Sequence, residues 1–256
     1  MTQLVLSLFP GIGLLDMAFE EEGFCVVRGP DLLWGGDIRR FHPPAGKFDG
    51  VIGGPPCQAF SRLKYFVQAN QLTVAENLIP EFERCVAEAQ PAWFVMENVP
   101  EAPEPIVDWY TMSSQMIRDV WVGGDTSRMR RFTFGQRHRG YIGNAADFRI
   151  ETRALHRPDP EPTVVASGGT PPDWKPTERH LATRKGKAAV GFKTRSYLTK
   201  ALKDQGLPSD FLKGAPITVA GKIKMVGNGV PLAMGRAAAK AVKCAIGLTA
   251  ESEAAE

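Results

Sequence analysis

The sequence predicts an α/β fold, a mostly parallel sheet with helices on both faces, to which a small irregular domain is added in the second half of the chain. Three observations predict it. Short aliphatic runs alternate with stretches of helical spacing. The first run ends in a tight glycine turn that opens a helix. Two later runs lead to Cys57 and Glu97, and parallel strands would deliver both residues to the same edge of the sheet.

Residues 3–9 form the first strand, apolar enough to be buried on both faces. Pro10-Gly11-Ile12-Gly13 makes the turn, and residues 14–22 have helical spacing with Leu14, Leu15, Ala18 and Phe19 on one side. A second strand covers residues 24–28. Asp31 follows, either as a turn aspartate beside Pro30 or as a carboxylate able to accept both hydroxyls of a ribose. Asp37, in Gly36-Asp37-Ile38, is a second acid suited to the amino group of an adenine. Residues 48–54 are the third strand, and residues 73–89 a helix with Leu78, Phe82, Cys85, Val86 and Ala89 on one stripe. Residues 92–96 form the strand that delivers Glu97-Asn98-Val99-Pro100; residues 116–122 and 131–135 read as a further strand and a hairpin return.

From residue 141 to about 195 the texture changes: proline and glycine rise, and only short β-like pieces such as Thr163-Val164-Val165 survive. Phe148, Trp174 and Phe192 give this small domain something to pack. Regular structure resumes near Leu198, and residues 233–246 form an amphipathic helix after Gly227-Asn228-Gly229-Val230-Pro231. The expected organisation is a body of residues 1–140 and 196–250, a small domain at 141–195, and a tail at 251–256 that frays.

Composition bounds the function. With 43% hydrophobic and 23% charged residues the chain reads as a soluble globular protein, without a membrane-spanning run or a signal peptide, which fits a cytoplasmic or nucleoid setting. The four cysteines, Cys25, Cys57, Cys85 and Cys244, form no CxxC pair, so neither a zinc site nor a disulfide framework is expected; Cys25, Cys85 and Cys244 read as packing residues. Net charge is only +3, but five arginines (Arg128, Arg130, Arg131, Arg137, Arg139) fall between Thr126 and Gly140 with no acidic residue among them. Such a segment fits a phosphate-facing surface or, equally, a solvated face.

The stretch that organises the rest is Val-Ile-Gly-Gly-Pro-Pro-Cys-Gln-Ala-Phe-Ser at residues 51–61. An isolated cysteine in a turn is by default a packing residue. Here it follows a buried strand, two glycines and two stiffening prolines, where α/β sheets place their chemistry.

These pieces, in this order, resemble the C5-cytosine DNA methyltransferase family. Pro55-Pro56-Cys57-Gln58 with Ser61 is similar to its nucleophile loop, Glu97-Asn98-Val99 to its catalytic-glutamate motif, Phe9-Pro10-Gly11-Ile12-Gly13 to its cofactor loop, and Gly227-Asn228-Gly229-Val230-Pro231 to its last motif. The resemblance implies a Rossmann-like S-adenosylmethionine-dependent methyltransferase sheet with a target-recognition domain. It implies S-adenosyl-L-methionine as cofactor, held by Phe9, Gly11, Gly13, Asp31, Asp37, Ile38, Gly54, Leu78, Asn228 and Val230. It implies catalysis by Cys57 and Glu97, assisted by Arg128 and Arg130 of a QxRxR-like element. DNA contacts would come from Gln58, Ser61, Arg131, Arg137 and Thr163, the last in a pair similar to the family's Thr-Leu/Val. Thr126 stands where the glutamine of QxRxR is expected, the stretch from Leu198 to Gln205 is about two residues short, and residues 141–195 leave little room for base-reading loops.

The implied chemistry accounts for the residue types. A thiolate adds to C6 of cytosine and later leaves, which suits cysteine. A glutamate relieves the charge that develops at N3 by donating a proton or hydrogen bond, which calls for a protonated carboxyl. The base must leave the stack first. The expected partner is double-stranded DNA, met by a monomer with a short or relaxed site, bacterial or phage-encoded; no metal is expected. A tRNA cytosine-5 methyltransferase on the same fold is the alternative, though the Cys-Phe-Thr element of that branch is not found. A non-enzymatic DNA-binding relic is the third reading.

Overall fold

A computed structural model of the chain describes residues 2–56, 60, 76–138, 147–153, 160–164 and 195–248. It opens with strand β1 (Leu4–Leu8), helix α1 (Leu14–Glu21) and strand β2 (Cys25–Arg28), the two strands pairing in parallel. Strand β3 (Gly50–Gly53) pairs in parallel with the other side of β1, so the order of strands reverses between β1 and β3. This is the switch point at which open α/β sheets leave a crevice at their carboxyl edge. Helix α2 (Ile79–Ala89) leads to β4 (Trp93–Asn98), parallel to β3, and a long hairpin of β5 (Tyr110–Arg118) and β6 (Met129–Arg137) completes a six-stranded sheet in the order β2-β1-β3-β4-β6-β5. Strand β6 runs antiparallel to β4. Helices α3 (Arg195–Asp204), α4 (Val219–Asn228) and α5 (Leu232–Ala245) follow.

The central strands alternate between two apolar layers, as the two-residue period of a strand requires. Val5, Ile52, Trp93 and Val95 face α1 and α5, packing with Phe19, Phe24 and Met234. Leu6, Leu8, Val51, Phe94 and Met96 face α2, packing with Phe82 and Val86. Burying such a side chain is worth roughly 1.5–3 kcal/mol. A third cluster joins α1, α3 and α4 through Leu14, Ala201, Leu202, Ile223 and Val226.

Several sequence expectations shift. The strand expected at 116–122 ends at Arg118, because Asp119–Val122 forms a 3-10 turn in which the buried Asp119 carboxylate accepts from Thr126 N (2.9 Å) and Thr126 Oγ1 (2.7 Å). The described part of the helix expected at 73–89 begins at Ile79, with Pro80 in its first turn, where a missing N–H costs nothing. Helix α4 is an addition to the sequence expectation. Cys85 is buried, but Cys25 and Cys244 are exposed and are not packing residues. Within the stretch 141–195, Phe148 stacks on Phe134 (centroids 4.9 Å apart), Ile150 exchanges hydrogen bonds with the Gln115 side chain, and Val164 joins the third cluster. No helix among the described residues is long and apolar enough to cross a membrane.

Candidate active site

A cavity of about 650 Å³ opens where the carboxyl ends of β1, β3 and β4 meet, and helix α4 with the turn after it forms the facing wall. Its floor is the glycine turn. Gly13 N–H donates to Pro10 O at 2.8 Å, closing the turn, and α1 starts directly behind it. Gly13 has φ +80, a left-handed backbone that favours glycine, and a Cβ there would also press on the end of the Arg28 side chain. Phe9 holds a left-handed φ of 56, a strain found at sites that over-determine their backbone.

Asp31 is wired to this turn. Its Oδ2 accepts from Gly11 N–H (2.9 Å) and its Oδ1 from Leu33 N–H (2.7 Å), while the exposed Trp34 donates its indole N–H to Gly11 O (2.8 Å). A carboxylate offers about four lone-pair sites, so Asp31 keeps capacity for further donors. Asp37 is gripped by Arg39, which reaches Oδ1 with Nε (2.9 Å) and Oδ2 with Nη2 (3.0 Å), and that hydrogen bonding holds the Asp37 carboxyl below the usual range.

The opposite end of the cavity carries the acid. The register places Gly53 beside Met96, so Gly54 comes level with Glu97 at the top of β4. A Cβ on Gly54 would lie 3.0 Å from Glu97 Oε2; the glycine leaves that oxygen room. Glu97 is 8% exposed, and its Oε1 lies 2.7 Å from Arg130 Nε. Asn98, also buried, donates Nδ2 to Pro55 O (3.2 Å) and accepts from Val99 N–H (2.8 Å), tying the Pro55-Pro56 loop to the end of β4.

Such a cavity, with acids at one end of a nucleotide-sized hollow and a Glu–Arg pair beside a proline loop at the other, suits a group transfer between two bound molecules. Residues 35–105, which contain that loop and Glu97, match the family model for C-5 cytosine-specific DNA methylases. The Type II methyltransferase M.HgiGI of Herpetosiphon aurantiacus is 30% identical over 118 residues, covering 38% of this chain and 90% of that protein. The chain belongs to the C-5 cytosine-specific DNA methylase family. Type II methyltransferase M.FnuDI of Fusobacterium nucleatum is 33% identical over 111 residues, covering 37% of this chain and 32% of that protein. Across three such relatives the aligned part spans about a third to a half of their length. The fold is shared with a prophage-encoded E. coli protein, itself proposed to be a DNA modification methyltransferase, at TM-score 0.61 and 17% identity over 96% of this chain and 100% of that one.

Of the residues that the resemblance to the C-5 cytosine-specific DNA methylases assigned to the cofactor, Phe9, Gly11, Asp31, Asp37, Ile38, Gly54, Leu78, Asn228 and Val230 line this one cavity, together with Glu97 and Arg130. Gly13 does not line it and serves the turn. Cys57, Gln58 and Ser61 lie outside the described residues; Pro55 and Pro56, just before them, line the cavity.

Arg128, expected to assist catalysis, and Arg131 and Arg137, expected to face DNA, are bonded within the protein. Arg128 is 3% exposed and donates Nη1 to Val164 O (3.1 Å) and Gly227 O (3.0 Å), away from the cavity. Arg131 donates to Ala102 O (2.6 Å) and Pro100 O (2.5 Å), fastening the segment after β4. Arg137 bonds Gln90 O and Oε1, both at 3.0 Å, at the opposite edge of the sheet from Glu97, because β6 runs against β4. Thr163 is half-buried next to the anchored Val164.

Sequence reasoning missed Asp16, Arg39 and Lys224, which also line the cavity. Asp16 is fully buried, accepts from Ser7 Oγ (2.5 Å) and meets Arg28 Nε at 2.9 Å; burial pushes its carboxyl above the usual range, against the pull of Ser7 and Arg28. The signal was present: a lone serine in the apolar run of β1 must find a polar partner, and Asp16 is the acid in the first turn of the next helix.

Proposed function

We propose that this protein transfers a methyl group from S-adenosyl-L-methionine to C5 of a cytosine flipped out of double-stranded DNA, through a transient bond between Cys57 Sγ and C6. The observation that carries this reading is the meeting of Glu97, Arg130 and the Pro55-Pro56 loop at one wall of a cavity whose other wall is the glycine turn and Asp31.

The cavity fits the cofactor. Its volume of about 650 Å³ lies within the roughly 300–1,000 Å³ of small-molecule sites. Asp31 has acceptor capacity for a ribose, Asp37 and Ile38 line the cavity and would meet an adenine edge, and Lys224, also in the lining, would bring positive charge to a carboxylate. When bound, S-adenosyl-L-methionine supplies an electrophilic methyl group.

The protein's own groups do the rest. Cys57 Sγ adds to C6, and the ring electrons move toward N3, where Glu97, ion-paired with Arg130 at rest, passes on a proton taken up from solvent. The oxygen over Gly54 is the one left to face the base, since Arg130 occupies Oε1. After C5 is methylated, solvent water takes the C5 proton, the C5–C6 double bond re-forms, N3 returns its proton to Glu97, and Cys57 leaves as thiolate.

Labelled methyl transfer to DNA and to tRNA, side by side, tests this. Transfer to DNA alone supports the reading; transfer to tRNA alone gives it to the alternative; transfer to neither leaves a binding protein. Cys57→Ala should abolish transfer, and activity persisting in that variant overturns the covalent route. The short segment between the hairpin and α3 supports a short or relaxed target, and bisulfite sequencing of DNA from an expressing host would refute that by showing a long strict palindrome.

A further inference from the structure

We infer that Arg128 is a positioning residue that couples the segment at Thr163-Val164 to the wall of the methyl-donor cavity formed by α4. This rests on the methyltransferase reading above and goes beyond it, by naming the physical link between the two ligands' sites.

One nitrogen carries the link. Arg128 Nη1 donates at once to Val164 O (3.1 Å) and to Gly227 O (3.0 Å), from a side chain almost wholly enclosed. Gly227 O belongs to the last turn of α4, where carbonyls lack helical partners and the helix dipole is negative, so a guanidinium is doubly suited there. The next residues of that turn, Asn228, Gly229 and Val230, line the cavity. Gln205 serves the same turn from another side, donating Nε2 to Val226 O (2.6 Å) and Gly229 O (3.2 Å).

The other end of the link is equally fixed. Val164 is 3% exposed and packs in the cluster that contains Ile223 and Val226 of α4. The segment before it is pinned to the body: Ser127 N–H donates to Glu161 O (2.9 Å), Glu161 N–H to Asp125 O (3.0 Å), and Lys200 Nζ meets Glu161 Oε2 at 2.8 Å. A displacement of residues 160–164 on engaging DNA therefore reaches Arg128 and Val164 together, and through them the turn at 228–230. Both sites bias one buried element, which is what a coupling between ligands requires.

The test is titration of S-adenosylhomocysteine into the full chain, with and without a cytosine-containing mixed-sequence duplex, followed calorimetrically. The wild type is expected to bind S-adenosylhomocysteine at least about fivefold tighter with duplex present, the lower end of ordinary couplings. In Arg128→Lys, whose shorter side chain keeps the charge but stops short of the two carbonyls, the ratio should fall toward one. A brace without coupling would weaken binding with and without duplex equally and leave the ratio intact; that result, or a wild-type ratio of one, overturns the inference. Val164→Ala keeps Arg128 and the carbonyl but loosens the seat on α4, and it decides the matter if Arg128→Lys does not fold: a lowered ratio supports the coupling, an unchanged one overturns it. Failure of the wild type to bind S-adenosylhomocysteine at all overturns the cofactor reading itself, and with it the coupling.

Discussion

Arg130 Nε lies 2.7 Å from Glu97 Oε1, although the two residues are not opposite each other in the ladder. Glu97 pairs with Phe132, and Arg130, two residues earlier on β6, stands diagonally on the same face. Both side chains are nearly buried, 13% and 10% exposed, so each is the other's main source of charge compensation.

That pairing makes a stability prediction. Arg130→Met leaves a mostly buried carboxylate without its partner and should cost about 3–5 kcal/mol. Adding Glu97→Gln to that variant should recover a large part of the loss. Urea unfolding of the two single variants and the double variant closes the cycle, and additive effects would contradict the pairing.

Glu97→Gln by itself is shaped like the parent but cannot pass a proton to the base. Methyl transfer should fall by about 10²–10⁴-fold, the usual worth of a general acid or base. Affinity for S-adenosylhomocysteine should change little, because Glu97 stands on β4, two strands away from β1 and the glycine turn that follows it. Single-turnover rates and calorimetry measure the two separately.

Gly54→Ala tests the same carboxyl from below. The added methyl would sit 3.0 Å from Glu97 Oε2, too close unless the carboxyl moves. Because Arg130 Nε sits against the other oxygen, the carboxyl gives by only a few tenths of an ångström, and we expect a drop in the rate of transfer well short of the roughly 100-fold of a full ångström, with the melting temperature almost unchanged. Full activity in Gly54→Ala would show that Oε2 is not the oxygen facing the base.

The clamp between α1 and α5 predicts a pH effect. Arg236 donates Nε to Glu21 Oε2 (2.5 Å) and Nη2 to Oε1 (3.0 Å), and this hydrogen bonding holds the Glu21 carboxyl below its ordinary value of 4.5. A lowered folded-state pKa contributes stability above the unfolded value and loses it as pH falls through the folded one. Glu21→Gln should therefore destabilise at neutral pH, by no more than about 1 kcal/mol given the solvent screening of this half-exposed pair. The gap to wild type should close as the pH falls below 4.5 and through the lowered folded-state value. Thermal melts across that range measure it.

The fold is largely legible in the sequence because its core strands are apolar on both faces: β1, β3 and β4 announce themselves by composition. Strand β5 is misplaced for the opposite reason. It is an edge strand, and Thr111, Ser113, Ser114 and Gln115 carry polar side chains that a half-solvated edge tolerates, so its first half reads as loop. The cavity residues are legible because turns and strand ends fix them locally. What escapes is the use of each arginine. Arg128, Arg130, Arg131 and Arg137 look alike in a row, yet the alternation of β6 and the packing around it send them to a helix end, a buried glutamate, a loop and the far edge. Nothing local distinguishes an arginine that meets a carbonyl 99 residues away from one that meets solvent.

The cavity is walled by Phe9 and Gly11 on one side and, from far later in the chain, by Asn228 and Val230 on the other. While a ribosome is making this protein, the glycine turn, Asp31 and Glu97 emerge early, yet they face nothing until α4 follows. A nascent chain thus has no closed hollow until α4 has been made. Two fragments divided between β6 and α3 would each be inert, and mixing them would restore the hollow only by bringing α4 back against α1.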